Sequence, residues 1–187
     1  MATVAFIGLG VMGAPMAGHL AAKGHAVRVY NRTRRRAEDW AKRHGGAVCA
    51  SPAEACAGAE IAFLCVGDDR DVRSVVLGED GMLAGLRAGA LIVDHTTASA
   101  RLARELGGLC VNKRVGFIDA PVSGGQAGAE NGALSIMCGG SETDFAKAEP
   151  VMRAYAKASR RIGPVGSGQL AKMVNQICIA GIVQGLA

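Results

Sequence analysis

Lys172 and Asn175 stand three residues apart in Gly166-Ser167-Gly168-Gln169-Leu170-Ala171-Lys172-Met173-Val174-Asn175. On a helix that spacing puts both on one face. The face is otherwise apolar, so Lys172 is expected to be partly buried. A partly buried ammonium beside a carbonyl or an anion can donate a proton. A lysine that only snorkels at a helix start has the same spacing. A second signal is Gly8-Leu9-Gly10-Val11-Met12-Gly13. In such a run the first glycine permits a tight turn and the second lets the backbone approach a pyrophosphate. The third lets the helix pack on its strand. The helix N-terminus then offers N–H donors and a positive dipole end to the anion. A third signal is Asp119-Ala120-Pro121-Val122-Ser123-Gly124-Gly125. Backbone N–H groups near Gly124 and Gly125 can form an anion-binding nest, with the Ser123 hydroxyl as a further donor, and a carboxylate suits it. An ordinary glycine-rich loop would read the same way.

The elements that must position these residues follow from the pattern. Thr3–Ile7 is a short apolar run and reads as a buried strand, and the glycine run follows it directly. Met12, Met16, Leu20 and Lys23 then recur at helical spacing up to Gly24. Strands are expected at 26–30, 60–66, 90–94, 115–119, 134–138 and 159–162. Helices are expected at 34–44, from Ser51-Pro52-Ala53-Glu54, from Asp68 to about Leu77, at 98–106, after Ser141, and from near Gly168 to the last residue. Ser51, Asp68 and Ser141 are cap residues, and Glu54 completes a capping box on Ser51. Strands alternating with helices predict an α/β fold, a mainly parallel sheet with helices on both faces.

The end of the second strand bears on the cofactor. NAD-binding folds usually carry Asp or Glu there, on the ribose 2′-hydroxyl. This chain carries Asn31-Arg32-Thr33. No carboxylate stands there to repel a 2′-phosphate. Arg32 can fork two hydrogen bonds onto such a group and Thr33 can add a hydroxyl. NADP(H) is therefore expected in preference to NAD(H). Arg34, Arg35 and Arg36 extend the basic cluster; they serve either the same anion or a solvated helix face.

Composition sets the outer limits. The chain has 187 residues, 21 Lys+Arg against 16 Asp+Glu, a net charge of +5, and half its residues are hydrophobic. That is enough apolar material for a real core and excludes a disordered chain. The 27 glycines and few aromatics suit α/β layers with tight turns. The six cysteines contain no C-x-x-C pair, and His95 has no second ligand at metal spacing, which argues against a disulfide scaffold or a metal site. Most cysteines lie in apolar runs and read as packing residues. His95 likewise reads as structural. Trp40, Tyr30 and Tyr155 do not interleave with the basic run, so nucleic acid is not expected as a partner. The start of the chain lacks a basic n-region, and the last helix carries Lys172, Asn175, Gln176 and Gln184, which suits neither a signal peptide nor a membrane span. A cytoplasmic protein is expected.

Taken in order, four segments resemble the β-hydroxyacid dehydrogenase family, which includes 3-hydroxyisobutyrate dehydrogenases and tartronate, glyoxylate and succinic semialdehyde reductases. They are Gly8–Gly13 with Pro15-Met16-Ala17; Asn31-Arg32-Thr33; Asp119–Gly125 continuing to Gly128, Gly132 and Leu134; and Gly166-x-Gly168-x-x-x-Lys172-x-x-Asn175. The resemblance implies a Rossmann-like doubly wound domain over 1–165, then the start of an interdomain helix over 166–187. It also implies a further all-helical domain, absent from this chain, that closes the cleft. Ser123, Gly124 and Gly125 would hold a substrate carboxylate, with Lys172 as general acid/base and Asn175 orienting the substrate. Cys65, Val66, Gly67, Asp68 and Thr96 would line the cofactor cleft, and Thr96 would also serve the substrate site. The substrate would be a small carboxylate-bearing aldehyde or hydroxyacid, and the apolar stretch from Ile177 to Leu186, left exposed at the helix end, is expected to make the chain self-associate. Three alternatives stay open. One is a cofactor-binding module without catalysis. Another is a relative of 6-phosphogluconate dehydrogenase, which usually has His between the Lys and the Asn and Ala in place of Gly10. The third is an imine reductase, which typically lacks the Lys.

Overall fold

The computed structural model describes residues 1–187. The first half is built from β1 (Thr3–Ile7), α1 (Gly13–Ala22), β2 (Ala26–Tyr30), α2 (Arg34–His44), β3 (Ala47–Val48), α3 (Pro52–Cys56), β4 (Ile61–Leu64), α4 (Asp69–Leu77) and α5 (Met82–Gly85). The second half adds β5 (Leu91–Asp94), α6 (Ala100–Asn112), β6 (Gly116–Asp119), β7 (Val122–Ser123), α7 (Gly125–Glu130), β8 (Leu134–Gly139), α8 (Glu142–Met152), β9 (Ala156–Gly163) and α9 (Ser167–Leu186). The strands form one sheet in the order β3-β2-β1-β4-β5-β6-β8-β7, with β9 on the other side of β8. β1 to β6 are all parallel. β8 runs antiparallel to β6 and β7, and β9 runs parallel to β8. The fold is thus Rossmann-like α/β with a mainly parallel sheet, closed by a long helix.

Alternation along the strands sends side chains to two cores. Val4 and Phe6 of β1 pack with Met16, Leu20 and Trp40 from α1 and α2, and with Tyr155. Ala5 and Ile7 face the other way, onto Val72, Val76, Leu102 and Leu106 from α4 and α6. Burial on both faces explains why these strands read as continuous apolar runs. The strand order reverses between β1 and β4, because β2 lies on one side of β1 and β4 on the other. The carboxyl ends of the strands at such a switch point leave a crevice, the usual ligand position in open α/β sheets.

Some elements differ from the sequence expectation. β3 and β7 are two residues each and carry no periodicity to read. α5 and α7 are short, and glycine and alanine fill half or more of each, which hides a helical stripe. The stretch between Pro121 and Leu134, where no element was expected, therefore holds a strand and a helix. α6 runs on past 106 to Asn112 through Gly107 and Gly108; a Cβ at Gly107 would press on Val165, so glycine there serves close packing and is no helix stop. β9 is eight residues rather than four, since its exposed Lys157 and Arg160 mask an edge strand. The Ser51 cap is as expected: its hydroxyl accepts the Glu54 N–H at 3.1 Å. The Glu54 carboxylate reaches back one residue further than a simple capping box, to the Ala50 N–H at 2.6 Å.

Candidate active site

The glycine run turns the chain from β1 into α1 at the switch point. Gly8 has φ +92°, and a Cβ on it would collide with the Cys65 carbonyl oxygen; a Cβ on Gly13 would collide with the Gly8 carbonyl oxygen. Gly10 has nothing within 4 Å of its Cβ position, so any side chain there would stand in open cleft. The first turn of α1 has no side-chain cap and no acidic residue. The Ala14 N–H is taken by the Gly10 carbonyl at 3.0 Å and Pro15 has none, so the Gly13 N–H and the dipole end are what is left for an outside anion. A cleft of about 410 Å3 opens in front of them. Gly8, Gly10, Val11, Met12, Gly13, Asn31, Arg32, Thr33, Cys65, Val66 and Gly67 all line it, together with Arg36, Asp71, Ser74 and Val75. The arrangement fits a dinucleotide: an uncapped helix start, a side-chain-free approach at Gly10, and cations where the second strand ends.

Three residues named for this cleft do not line it: exposed Asp68 caps α4, accepting the Arg70 and Asp71 N–H groups, and Leu9 and Thr96 sit behind the wall. Leu9 is buried, and its N–H donates to Asn31 Oδ1 at 2.9 Å. Asn31 Nδ2 donates to the Thr33 carbonyl at 3.0 Å, so Asn31 locks the glycine loop to the end of β2. Thr96 is 2% exposed and is not among the lining residues. Its hydroxyl accepts the Val66 N–H at 3.1 Å and its carbonyl accepts Gln169 Nε2 at 2.7 Å. It bridges the cofactor wall to α9. Arg32 is not free as the sequence suggested: Nη1 pairs with Asp71 Oδ1 at 3.1 Å. Arg34 and Arg35 pair with Glu38 and Asp39 along α2. Arg36 lines the cleft and makes no ion pair. The Cys65 thiol is pushed up to about 12, by burial first and then by Asp94, so it stays protonated.

The second half of the site is the start of α9. Gly166 is the N-cap with φ +93°. A Cβ on Gly168 would collide with the backbone oxygens of Met137 and Asp119. Gly168 is thus a requirement of close approach to β6 and β8, and Gly166 of a positive φ beside α6. The donors of this helix end are taken internally: the buried Asp119 carboxylate accepts the Gly166 N–H at 2.7 Å and the Gln169 N–H at 2.9 Å. Burial raises the Asp119 pKa, and these backbone hydrogen bonds work against that rise. Gln169, 2% exposed, adds a second tie, with Oε1 accepting the Ala98 N–H at 3.0 Å. Sequence reading missed both roles. Asp119 was visible only as a strand end, and a buried glutamine has no pattern to announce it.

One turn further on, Lys172 is half-buried, and desolvation lowers its pKa from the ordinary 10.5. Asn175 is half-buried on the same side, and its Oδ1 is buried with no hydrogen-bond partner. Such an orphaned acceptor is costly unless a donor arrives. Ser123 is half-buried at the end of β7, and Gly124 (φ +134°) and Gly125 (φ +61°) are exposed at the start of α7. His95 is structural: its Nδ1 lies 2.7 Å from the Ala120 carbonyl and its Nε2 lies 2.8 Å from the Tyr155 hydroxyl. The arrangement suits a neutral ring that donates from Nδ1 and accepts at Nε2. Burial holds its pKa down at about 4.

With this geometry in view, similarity to known proteins is informative. The sequence profile described as the NAD binding domain of 6-phosphogluconate dehydrogenase matches residues 3–172. An uncharacterized oxidoreductase of Shewanella frigidimarina is 58% identical over 187 residues, covering 100% of this chain and 64% of that protein. A 3-hydroxyisobutyrate dehydrogenase of Pseudomonas aeruginosa is 35% identical over 187 residues, 100% of this chain and 62% of that one. Among solved structures, the Mycobacterium tuberculosis 3-hydroxyisobutyrate dehydrogenase with L-serine superposes with a TM-score of 0.91 at 37% identity, over 96% of this chain and 60% of that one. The chain spans less than two thirds of the length of these relatives. The uncapped glycine turn at the β1/β4 switch point and the profile match over residues 3–172 agree, and the chain belongs to the family of the NAD-binding domain of 6-phosphogluconate dehydrogenase, with 3-hydroxyisobutyrate dehydrogenases among its homologues.

Proposed function

We propose that this chain forms the cofactor and catalytic-lysine half of an oxidoreductase that moves a hydride between NADP(H) and a small β-hydroxyacid or semialdehyde. The observation that carries the reading is the cleft itself. It sets an uncapped helix start and the cations Arg32 and Arg36 in one space, with no carboxylate at the end of β2. A bound nicotinamide supplies or accepts the hydride. The Gly13 N–H and the dipole end of α1 hold the pyrophosphate, and Arg32, Thr33 and Arg36 receive a 2′-phosphate, which sets the preference for NADP(H) over NAD(H). Thr96 acts through Val66 and Gln169, holding the cofactor wall and α9 in fixed relation.

Ser123 and the exposed backbone of Gly124 and Gly125 hold the substrate carboxylate. Asn175 Oδ1 accepts a substrate hydroxyl, which satisfies its orphaned acceptor. Lys172 Nζ gives its proton to the carbonyl oxygen as negative charge develops there, and takes it back in the reverse direction. Its lowered pKa brings that transfer closer to neutral pH. Residues 1–165 serve as the dinucleotide domain and 166–187 as the start of the helix that leads to a substrate-closing domain.

Fluorescence titration with NADPH and NADH, followed by glyoxylate, succinic semialdehyde and tartronate semialdehyde, tests this reading. Tighter NADPH binding with turnover of one aldehyde is the expected result. In a second reading these 187 residues bind NADPH without turning over. The two are separated by the aldehyde panel. Leu170, Met173, Val174, Ile177, Ile182, Val183 and Leu186 of α9 are exposed, and no helix is long and apolar enough to cross a membrane. We infer that copies of this chain associate through the exposed apolar length of this helix. Light scattering that gives a monomer at high concentration would sink this last point.

A further inference from the structure

The carboxylate that the β2 end lacks is supplied from another element. Asp71 lies in the first turn of α4, and its Oδ1 is 3.1 Å from Arg32 Nη1. Both residues line the cofactor cleft. Three features hold Asp71 there. The Asp68 side chain caps α4, accepting the Asp71 N–H at 3.1 Å. A Cβ on Gly67 would collide with Asp71 Oδ2, so glycine at 67 makes room for the carboxylate. Arg32 then meets it from the facing wall. The end of β2 is where this fold class places the adenosine ribose. A carboxylate touching Arg32 therefore faces the ribose 2′ position.

We propose that Asp71 is a cofactor-selectivity residue, a carboxylate opposed to the 2′-phosphate that narrows the preference of this cleft for NADP(H) over NAD(H). The inference deepens the cofactor assignment above and rests on it. Two consequences of the geometry give its sign. Arg32 is 85% exposed, so the exposed ion pair does little to pre-orient it. Arg32 must also leave Asp71 to fork onto a phosphate, and a 2′-phosphate of about −1.5 to −2 charge then lies beside the released carboxylate. A 2′-hydroxyl meets no such opposition and can donate to Asp71. Arg36, which has no acidic partner, is the cation left free to favour the phosphate.

The test is the Kd of NADPH and NADH for wild type, Asp71→Asn and Asp39→Asn, each as the full 187-residue chain at low salt. Asp39→Asn removes the same charge from the solvent side of α2 and controls for a general change in net charge. Asp71→Asn is expected to tighten NADPH about three- to tenfold and to leave NADH within about twofold, an effect that shrinks at high salt. Asp39→Asn should leave the NADPH/NADH ratio unchanged. An Asp71→Asn chain with unchanged or weaker NADPH binding overturns the proposal, as does an equal shift in Asp39→Asn. A wild type that prefers NADH overturns the NADP(H) assignment alone if Asp71→Asn still moves the ratio. A chain that binds neither nucleotide overturns both.

Discussion

Two helices in this molecule start from glycines, and they use them in opposite ways. α1 opens from Gly8–Gly13 with no side-chain cap and a cleft in front of it. α9 opens from Gly166-Ser167-Gly168 with its N–H groups already held by Asp119. Glycine permits close backbone approach in both places. At α1 the approach is left for a ligand, and at α9 it is taken by β6 and β8. A glycine-rich helix start is thus an anion site only when no acidic side chain has filled it. The chemistry of α9 must then come from a side chain a turn further on, at Lys172.

The sharpest way to break this comparison is Lys172→Ala. Turnover should fall by about 10²–10⁴-fold or become undetectable, with NADPH affinity at α1 retained. Near-normal turnover would remove Lys172 from the chemistry. Asp119→Ala opens the end of α9 and leaves two buried N–H groups without partners. It should cost about 3 kcal/mol in denaturant unfolding, since each buried orphan costs about 1–3 kcal/mol.

A third test concerns the strand end between the two helices. Burial raises the Asp94 pKa from 3.8 to about 7 and lowers that of His95 from 6.5 to about 4. The folded state holds an extra proton on Asp94 across its window, so stability from that group falls as pH rises from 3.8 towards 7. The folded state holds one fewer on His95, so stability from that group is complete above pH 6.5 and lost as pH falls through 4. The two slopes oppose one another in wild type. Asp94→Asn should unmask the histidine, with unfolding free energy rising by about 3 kcal/mol between pH 4 and 6.5 relative to wild type. Parallel pH profiles for the two proteins would refute the coupling. The smallest effect is expected at Gly10→Asp, which puts a carboxylate into the open end of α1. NADPH binding should weaken about tenfold or more with the melting temperature unchanged.

Much of the dinucleotide end was legible because its signals are local. A strand, three glycines and a helix follow one another within Thr3–Ala22, and Asn31-Arg32-Thr33 comes just after the second strand. The lysine end was legible in part. Lys172 and Asn175 share a face by spacing alone, but what sets that face is long-range. Asp119 reaches Gly166 and Gln169 from another strand, and Thr96 reaches Gln169 from the end of β5. Such bonds leave no periodic trace in the chain. The same holds for Asp71, which reaches Arg32 from α4.

The outer strand of the sheet has one more consequence. β9 leaves one of its edges unpaired, and it carries exposed Lys157 and Arg160 along that border. A second copy adding itself strand to strand would set these cations against their own kind and strip water from them. Growth of the sheet into a fibre is thereby discouraged at the border where it would otherwise be easiest.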